Sequence, residues 1–249
     1  MRATTVRFSE DLWDLLEREA ARQGISAAQF VRDASILRAA FLIGKRGDPE
    51  AEATIEQIAR GKREEERPQG ERELLAAIRA PRRLEALRKT ALLDTPPDDR
   101  FDRLTRLAAK ALKAPVALVS LIDEDRQYFK SCLGLPEPWG SARETPLTHS
   151  FCQHAVASRG ALVVSDARKH PVLHDNLAIR DLGVVAYLGV PLITSEGEGL
   201  GTLCVIDHEP RDWTEDEVAT VRDLAATVMT EIELRSAVGH LGEYADGET

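Results

Sequence analysis

The chain has few cysteines, few aromatic side chains and no long apolar run. Its 249 residues contain three cysteines, Cys132, Cys152 and Cys204. This odd, widely spaced set indicates reduced thiols rather than a disulfide framework. The longest stretch without charge or strong polarity, residues 182–193, is shorter than the roughly 20 residues that a membrane-spanning helix needs. The N-terminus also lacks the apolar core of a secretory signal. These absences predict a cytoplasmic protein with no membrane partner.

Charge and length limit the partners and the number of domains. Charged residues make up 30% of the chain, and the formal net charge is -9. An acidic protein does not coat nucleic acid in general, although a small basic patch is compatible with this balance. The length allows one large domain or two unequal ones.

A polar stretch rich in charged residues divides the sequence into modules. Its centre, at residues 61–70, has too few large apolar side chains to fold alone. We therefore predict a small module at residues 1–47, a polar and partly helical linker at 48–81, a large domain at 82–239 and a tail at 240–249.

The small module has the pattern of one strand followed by two helices. Residues 4–8 alternate between apolar and polar side chains, as in a half-buried strand. Ser9 is the expected N-cap of a first helix. Ser26 and Gln29 form a capping box for a second helix that lasts to about residue 43.

This order over residues 4–41 resembles the ribbon-helix-helix family of Arc, MetJ and CopG-type repressors. In that family the strands of two chains pair and enter the major groove of DNA. The resemblance implies a homodimer in which Ala3, Thr5 and Arg7 face the bases and Ser26 meets a phosphate at a helix N-terminus.

The charge of the small module leaves an alternative open. Residues 1–47 carry eight Lys and Arg against six Asp and Glu, whereas phosphate neutralisation normally dominates DNA affinity. A dimerisation module that does not bind DNA is therefore the other interpretation.

The large module alternates between helical and strand patterns. Two helices are predicted at residues 82–93 and 101–112, and a hairpin at 116–122 and 127–133. Further strands are predicted at 161–165, 184–193 and 200–206. Thr214 is the expected N-cap of a final amphipathic helix of about 20 residues. The fold class is α+β, with one antiparallel sheet flanked by helices.

Several spaced motifs make the large module resemble a GAF sensor domain of bacterial signalling proteins. They are LDTPP at 93–97, RFDRL at 100–104, VSLID at 119–123, SFC at 150–152, VPL at 190–192 and GTLCVID at 201–207. The resemblance implies that a small molecule or chromophore binds between the sheet and the segment that connects its inner strands.

The known chemistries of that family fit this chain poorly. Asp207 and His208 stand where members that bind cyclic nucleotides carry an Asn-Lys pair. Cys152 and His154 are separated by one residue, whereas in members that bind a bilin the two are adjacent. The cysteine-containing segment of the methionine sulfoxide reductases of this fold is absent. The sequence thus predicts a protein that is not an enzyme, and it indicates no particular cofactor.

Three residues are the candidates for ligand binding or redox sensing: His149, Cys152 and Tyr187. Cys152 follows a predicted helix start near Ser150, where the thiolate is stabilised. The alternative is a buried cysteine that packs as a small apolar residue, an interpretation that applies most strongly to Cys204. Tyr187 is either a core ring or a hydrogen-bond donor in a pocket. The nearby histidines provide no closing ligand pair, so no metal site is predicted.

Two functions are consistent with these modules. The first is a one-component transcriptional regulator or signalling protein, in which the sensor domain responds to a small molecule or redox state and alters DNA binding. The second is a dimeric interaction protein that does not bind DNA and regulates a kinase or sigma-factor partner.

Overall fold

A computed structural model describes residues 8–22, 26–44, 49, 51, 54 and 68–245. The chain divides into two compact units, Met1–Gln69 and Gly70–Thr249. In the first unit, helices α1 (Glu10–Arg22) and α2 (Ala27–Gly44) pack on one another. They coincide with the two predicted helices. Ser26 directly precedes α2, and its carbonyl accepts the Phe30 N–H at 2.9 Å. The predicted DNA-contact residues Ala3, Thr5 and Arg7, and most of the predicted strand, lie outside the described residues.

The second unit contains a six-stranded sheet in which every neighbouring pair is antiparallel. The strand order is β3-β2-β1-β6-β5-β4. The strands are β1 (Val116–Ile122), β2 (Arg126–Leu133), β3 (Glu144–Pro146), β4 (Leu162–Val164), β5 (Ala186–Ile193) and β6 (Gly199–Asp207).

Helices surround this sheet. They are α3 (Gln69–Ile78), α4 (Pro81–Lys89), α5 (Asp99–Leu112), α6 (Trp139–Ala142), α7 (Cys152–Ser158), α8 (Leu177–Asp181) and α9 (Glu215–Ala245). Short 3₁₀ turns lie at Leu147–His149 and Ala167–Lys169. Among the described residues, no helix combines the length and the apolar character needed to cross a bilayer.

The period-two pattern of the central strands gives the sheet two buried faces. On one face, Leu203 and Val205 of β6 pack with α4, α5 and α9. On the other, Cys204 and Ile206 pack with α7 and α8, together with Tyr187 of β5. We call this second side the cavity face.

Each predicted strand of the large module is present, but β3 was not predicted. A three-residue strand is too short to show a period. Helix α4 ends at Lys89, earlier than predicted, because Ala91 adopts a positive φ of 48° that leaves the helical conformation. Helix α9 has 31 residues, against the predicted length of about 20.

Helix α3 lies within the segment predicted as a linker and packs onto the second unit. Its Ile78 is fully buried in the cluster of the cavity face, where Leu74 and Leu75 pack against it. Three apolar side chains in ten residues thus attach the end of the predicted linker to the folded sheet.

Candidate sensory cavity

A small cavity lies on the cavity face of the sheet, between the central strands and the helices that cover them. Strand residues Leu118, Tyr187 and Ile206 form its floor, and Ala178 and Leu182 close it from the side of α8. Its volume is about 10 Å³, which is room for roughly one water molecule. In its present form the cavity therefore admits only very small molecules.

All three predicted site residues line this cavity: His149, Cys152 and Tyr187. They come from a 3₁₀ turn, the start of α7 and the start of β5. The structure thus brings together side chains that are far apart in the sequence.

Tyr187 is a buried hydrogen-bond donor. Its ring packs against Phe151 at a centroid distance of 5.3 Å, and its hydroxyl donates to Cys152 Sγ at 3.3 Å. Burial raises the pKa of this phenol well above its usual value, so the hydroxyl keeps its proton. Gly189 provides the space for the ring, because a Cβ there would lie 2.1 Å from the Tyr187 hydroxyl oxygen.

Hydrogen bonds hold Cys152 at the first turn of α7. Ser150 Oγ accepts the backbone N–H of Gln153 at 3.1 Å, the capping contact expected from the sequence. The same hydroxyl donates to the buried side chain of Gln127. The position of the Cys152 Sγ atom is therefore defined by both the sheet and the helix start.

A second thiol lies beside Cys152. Cys204, on β6, has its Sγ 3.9 Å from Cys152 Sγ, and both side chains are buried. Ser120 and Thr202 adjoin them on β1 and β6, with their hydroxyl oxygens 3.1 Å apart. Two thiols and three hydroxyls thus form one buried polar group beside the cavity.

The two thiols have opposite acidities. Burial opposes ionisation of Cys152, but hydrogen bonds from Cys204, Ser120, Thr202 and Tyr187 outweigh it and lower its pKa. The hydrogen bond to Cys152 and burial raise the pKa of Cys204 well above its usual value. These directions favour ionisation of Cys152, with Cys204 as the protonated partner of the pair.

His149 links the rim of the cavity to α8. Its Nε2 lies 3.1 Å from Asp181 Oδ2, and its Nδ1 lies 3.1 Å from Thr148 Oγ1. The imidazole packs against Trp139 at a centroid distance of 5.0 Å. Arg180 and His149 lower the pKa of the Asp181 carboxyl to about 2, so this carboxyl is ionised at neutral pH.

Cys204 was predicted only as strand core, although residues 202, 204 and 206 alternate onto one face of β6. What the sequence did not show is that α7 places Cys152 over that face. Among the residues that the structure describes, no group of three His, Cys, Asp or Glu side chains is arranged to hold a metal ion.

Comparison with known proteins identifies the class. The model of the GAF domain family matches residues 96–232, more than half of the chain. The chain therefore belongs to the GAF domain family. This confirms the resemblance of the large module, whereas the match gives no support to the predicted ribbon-helix-helix module.

The chain is similar to solved structures at low sequence identity. The GAF domain of a phosphoenolpyruvate-protein phosphotransferase from Coxiella burnetii is 20% identical, with a TM-score of 0.50 over 64% of this chain and 96% of that chain. The corresponding domain from Acinetobacter is 21% identical, with a TM-score of 0.48 over 65% of this chain and 99% of that chain.

A curated relative extends beyond the shared segment. A protein of Pseudomonas aeruginosa named cyclic di-GMP phosphodiesterase is 35% identical over 154 residues. The match covers 61% of this chain and 25% of the relative, so the chain spans about a quarter of that protein. The prediction that the chain is not an enzyme is wrong by this comparison, because the relative is named as an enzyme.

Proposed function

We propose that this chain is a sensory component of cyclic di-GMP signalling. In this proposal its GAF domain receives a signal at the cavity and alters the turnover of cyclic di-GMP. The observation that carries the proposal is the convergence of His149, Cys152 and Tyr187 on one buried cavity. The 35% identity to a cyclic di-GMP phosphodiesterase supports the assignment of the output.

A chain of contacts leads from the cavity to the long helix α9. Strand β6 carries Cys204 and ends at Asp207, which pairs with Arg211 at 3.2 Å. Arg211 also pairs with Glu217 in the first turn of α9 at 2.5 Å. A shift of β6 at the cavity would therefore act on the start of α9, a physically continuous route between input and output.

The proposal is tested by measuring cyclic di-GMP in bacteria that express the full chain. Ala178→Val adds two methyl groups where the cavity has almost no free volume, so α8 must move. Ala226→Val makes the same change at an exposed position of α9 and is the matched control.

We expect the wild-type chain and Ala226→Val to change the cellular cyclic di-GMP level alike, and Ala178→Val to differ from both. Circular dichroism of the purified variants separates loss of signalling from loss of folding. Equal cyclic di-GMP in cells with and without the folded wild-type chain would overturn the proposal.

A second candidate function is DNA binding by the first unit, supported by the order of α1 and α2 and by Ser26 at the start of α2.

An outward arginine on a strand inserted in the major groove contributes about 1–3 kcal/mol through a bidentate contact to guanine. Arg7→Ala should then weaken binding to fragments of the protein's own promoter about tenfold in a gel shift. Arg22→Ala, an exposed change on α1, is the control. Unchanged affinity in folded Arg7→Ala would leave the first unit as a dimerisation module.

A further inference from the structure

Two buried thiols lie close together on the cavity face. Cys152 Sγ and Cys204 Sγ are 3.9 Å apart, one at the start of α7 and the other on the adjacent strand β6. We propose that Cys152 and Cys204 form a redox switch that a small hydroperoxide closes to an intramolecular disulfide. The effect of this switch on signalling rests on the proposed sensory role of the cavity, whereas the chemistry of the switch can be tested separately.

The surroundings assign different roles to the two sulfurs. Tyr187 donates to Cys152 Sγ at 3.3 Å, and a hydrogen bond to the charged form favours that form. Cys152 is therefore the attacking thiolate. The hydrogen bond to Cys152 and burial raise the pKa of the Cys204 thiol, and its sulfur lies 3.9 Å from Cys152 Sγ, so Cys204 is the resolving thiol.

The cavity selects the oxidant by size. Cys152 is one of its lining residues, and a volume of about 10 Å³ is roughly the least that holds one water molecule. Hydrogen peroxide, with two oxygen atoms, is the smallest peroxide and needs only a slight widening of the cavity, whereas a disulfide such as oxidised glutathione is far too large to enter. The buried position of both thiols thus favours a peroxide over thiol–disulfide exchange.

The reaction balances without a further redox partner. The Cys152 thiolate attacks one oxygen of hydrogen peroxide, the O–O bond breaks, hydroxide leaves, and Cys152 becomes a sulfenic acid. Cys204 sulfur then attacks Cys152 sulfur, and the S–O bond breaks. The released hydroxyl group leaves as water with the Cys204 proton. The hydroxide from the first step becomes water by taking up the proton that Cys152 lost on ionising, so overall two thiols are oxidised by two electrons and one peroxide is reduced to two waters.

The third cysteine is an internal control. Cys132 is only half-buried and does not belong to the pair. Its sulfur lies 3.9 Å from the Gly140 carbonyl oxygen, and burial raises the pKa of its thiol. Cys132 therefore lacks both the activated thiolate and the resolving partner, although it is the more accessible thiol.

The test treats the purified full chain with hydrogen peroxide, blocks the remaining thiols with N-ethylmaleimide in denaturant, and maps the peptides by mass spectrometry. We expect wild type and Cys132→Ser to lose two free thiols and to give a Cys152–Cys204 cross-linked peptide. Cys204→Ser should stop at a sulfenic acid on Cys152, which dimedone traps. Tyr187→Phe should slow the loss of thiols at least about threefold, because the thiolate loses a hydrogen bond.

Free Cys152 and Cys204 after peroxide treatment of the wild-type chain, or oxidation confined to Cys132, would overturn the inference. These results need no variant, so poor folding of a substituted chain cannot obscure them. They are also independent of cyclic di-GMP. A chain that changes cellular cyclic di-GMP but forms no disulfide would retain the proposed function and lose the switch.

Discussion

The buried ammonium of Lys130 holds a turn on the sheet face opposite the cavity face. Only 1% of the residue is exposed, and its ammonium donates to Thr95 Oγ1 at 2.7 Å and to the Pro96 carbonyl at 2.8 Å. Burial is the main cause that lowers its pKa to about 8, with a smaller contribution from Arg235. The ammonium thus fixes the turn before α5, at the cost of keeping a charge out of water.

The unfavourable burial of the Lys130 ammonium predicts that the free energy of unfolding depends on pH. Below about pH 8 both the folded and the unfolded chain carry the charge, whereas between the lowered pKa of about 8 and the ordinary value of 10.5 only the unfolded chain does. The unfolded state then binds more protons, so the free energy of unfolding rises with pH in this interval, by up to about 3 kcal/mol. Lys130→Met should remove this rise.

Urea unfolding of the wild-type chain and of Lys130→Met, from about pH 7.5 to about pH 10.5, gives the free energy of unfolding of each chain at each pH. The slopes of these free energies against pH are then compared. Lys110→Met, an exposed change on α5, should keep the wild-type pH profile. Parallel profiles for wild type and Lys130→Met would contradict the role assigned to this charge.

At the scale of elements, Arg83 of α4 joins three parts of the second unit. Its buried guanidinium donates to the carbonyl oxygens of Ile78 at 2.6 Å, Ile122 at 2.7 Å and Gly199 at 3.2 Å. These atoms lie at the end of α3, the end of β1 and the start of β6. Burial lowers the pKa of the guanidinium to about 10, opposed by Asp123 and Glu198, and the side chain remains charged at neutral pH.

Arg83→Ala should destabilise the second unit by about 3–5 kcal/mol, because three buried carbonyls lose a charged donor. The neighbouring Arg82 is exposed, and Arg82→Ala should change the free energy of unfolding by less than about 0.5 kcal/mol. Thermal or urea denaturation distinguishes the two variants. Similar midpoints for both would show that the three elements are held by apolar packing alone.

The elements also show what can be predicted from the sequence. Strands β1, β2, β5 and β6 are long enough to show their apolar patterns, and α5 and α9 begin beside polar capping residues, Asp98 and Thr214. The end of α9 was placed too early because an apolar stripe shows where a helix is packed, whereas the backbone continues to residue 245. The partnership of Cys152 with Cys204 depends on how α7 lies over the sheet, which no local pattern contains.

At the scale of the whole molecule, exposed apolar side chains support the predicted homodimer. In the first unit Leu12 and Leu15 of α1 and Leu37 of α2 are 42%, 46% and 71% exposed. In the second unit Leu234 of α9 is 56% exposed. Apolar side chains grouped on a helix face are typical of interaction surfaces, and two identical chains most often pair by twofold symmetry.

We therefore expect sedimentation of the full chain at micromolar concentration to give about twice the chain mass of 27.5 kDa. Leu37→Glu and Leu234→Glu should each weaken the dimer about tenfold or more, since a charge is buried in the interface. Lys110→Glu, a change at an exposed polar position of α5, should leave it intact. A wild-type mass of 27.5 kDa at this concentration would refute the dimer.

In the proposed function, chemistry at the cavity controls the cellular level of cyclic di-GMP. The most direct measurement is the cellular cyclic di-GMP level before and after a brief hydrogen peroxide pulse, in matched strains that express wild type, Cys204→Ser or Cys132→Ser. We expect peroxide to shift the level in wild type and Cys132→Ser, and Cys204→Ser to abolish the shift, because Cys152 then has no resolving thiol. An equal shift in all three strains, or no shift in wild type, would contradict it.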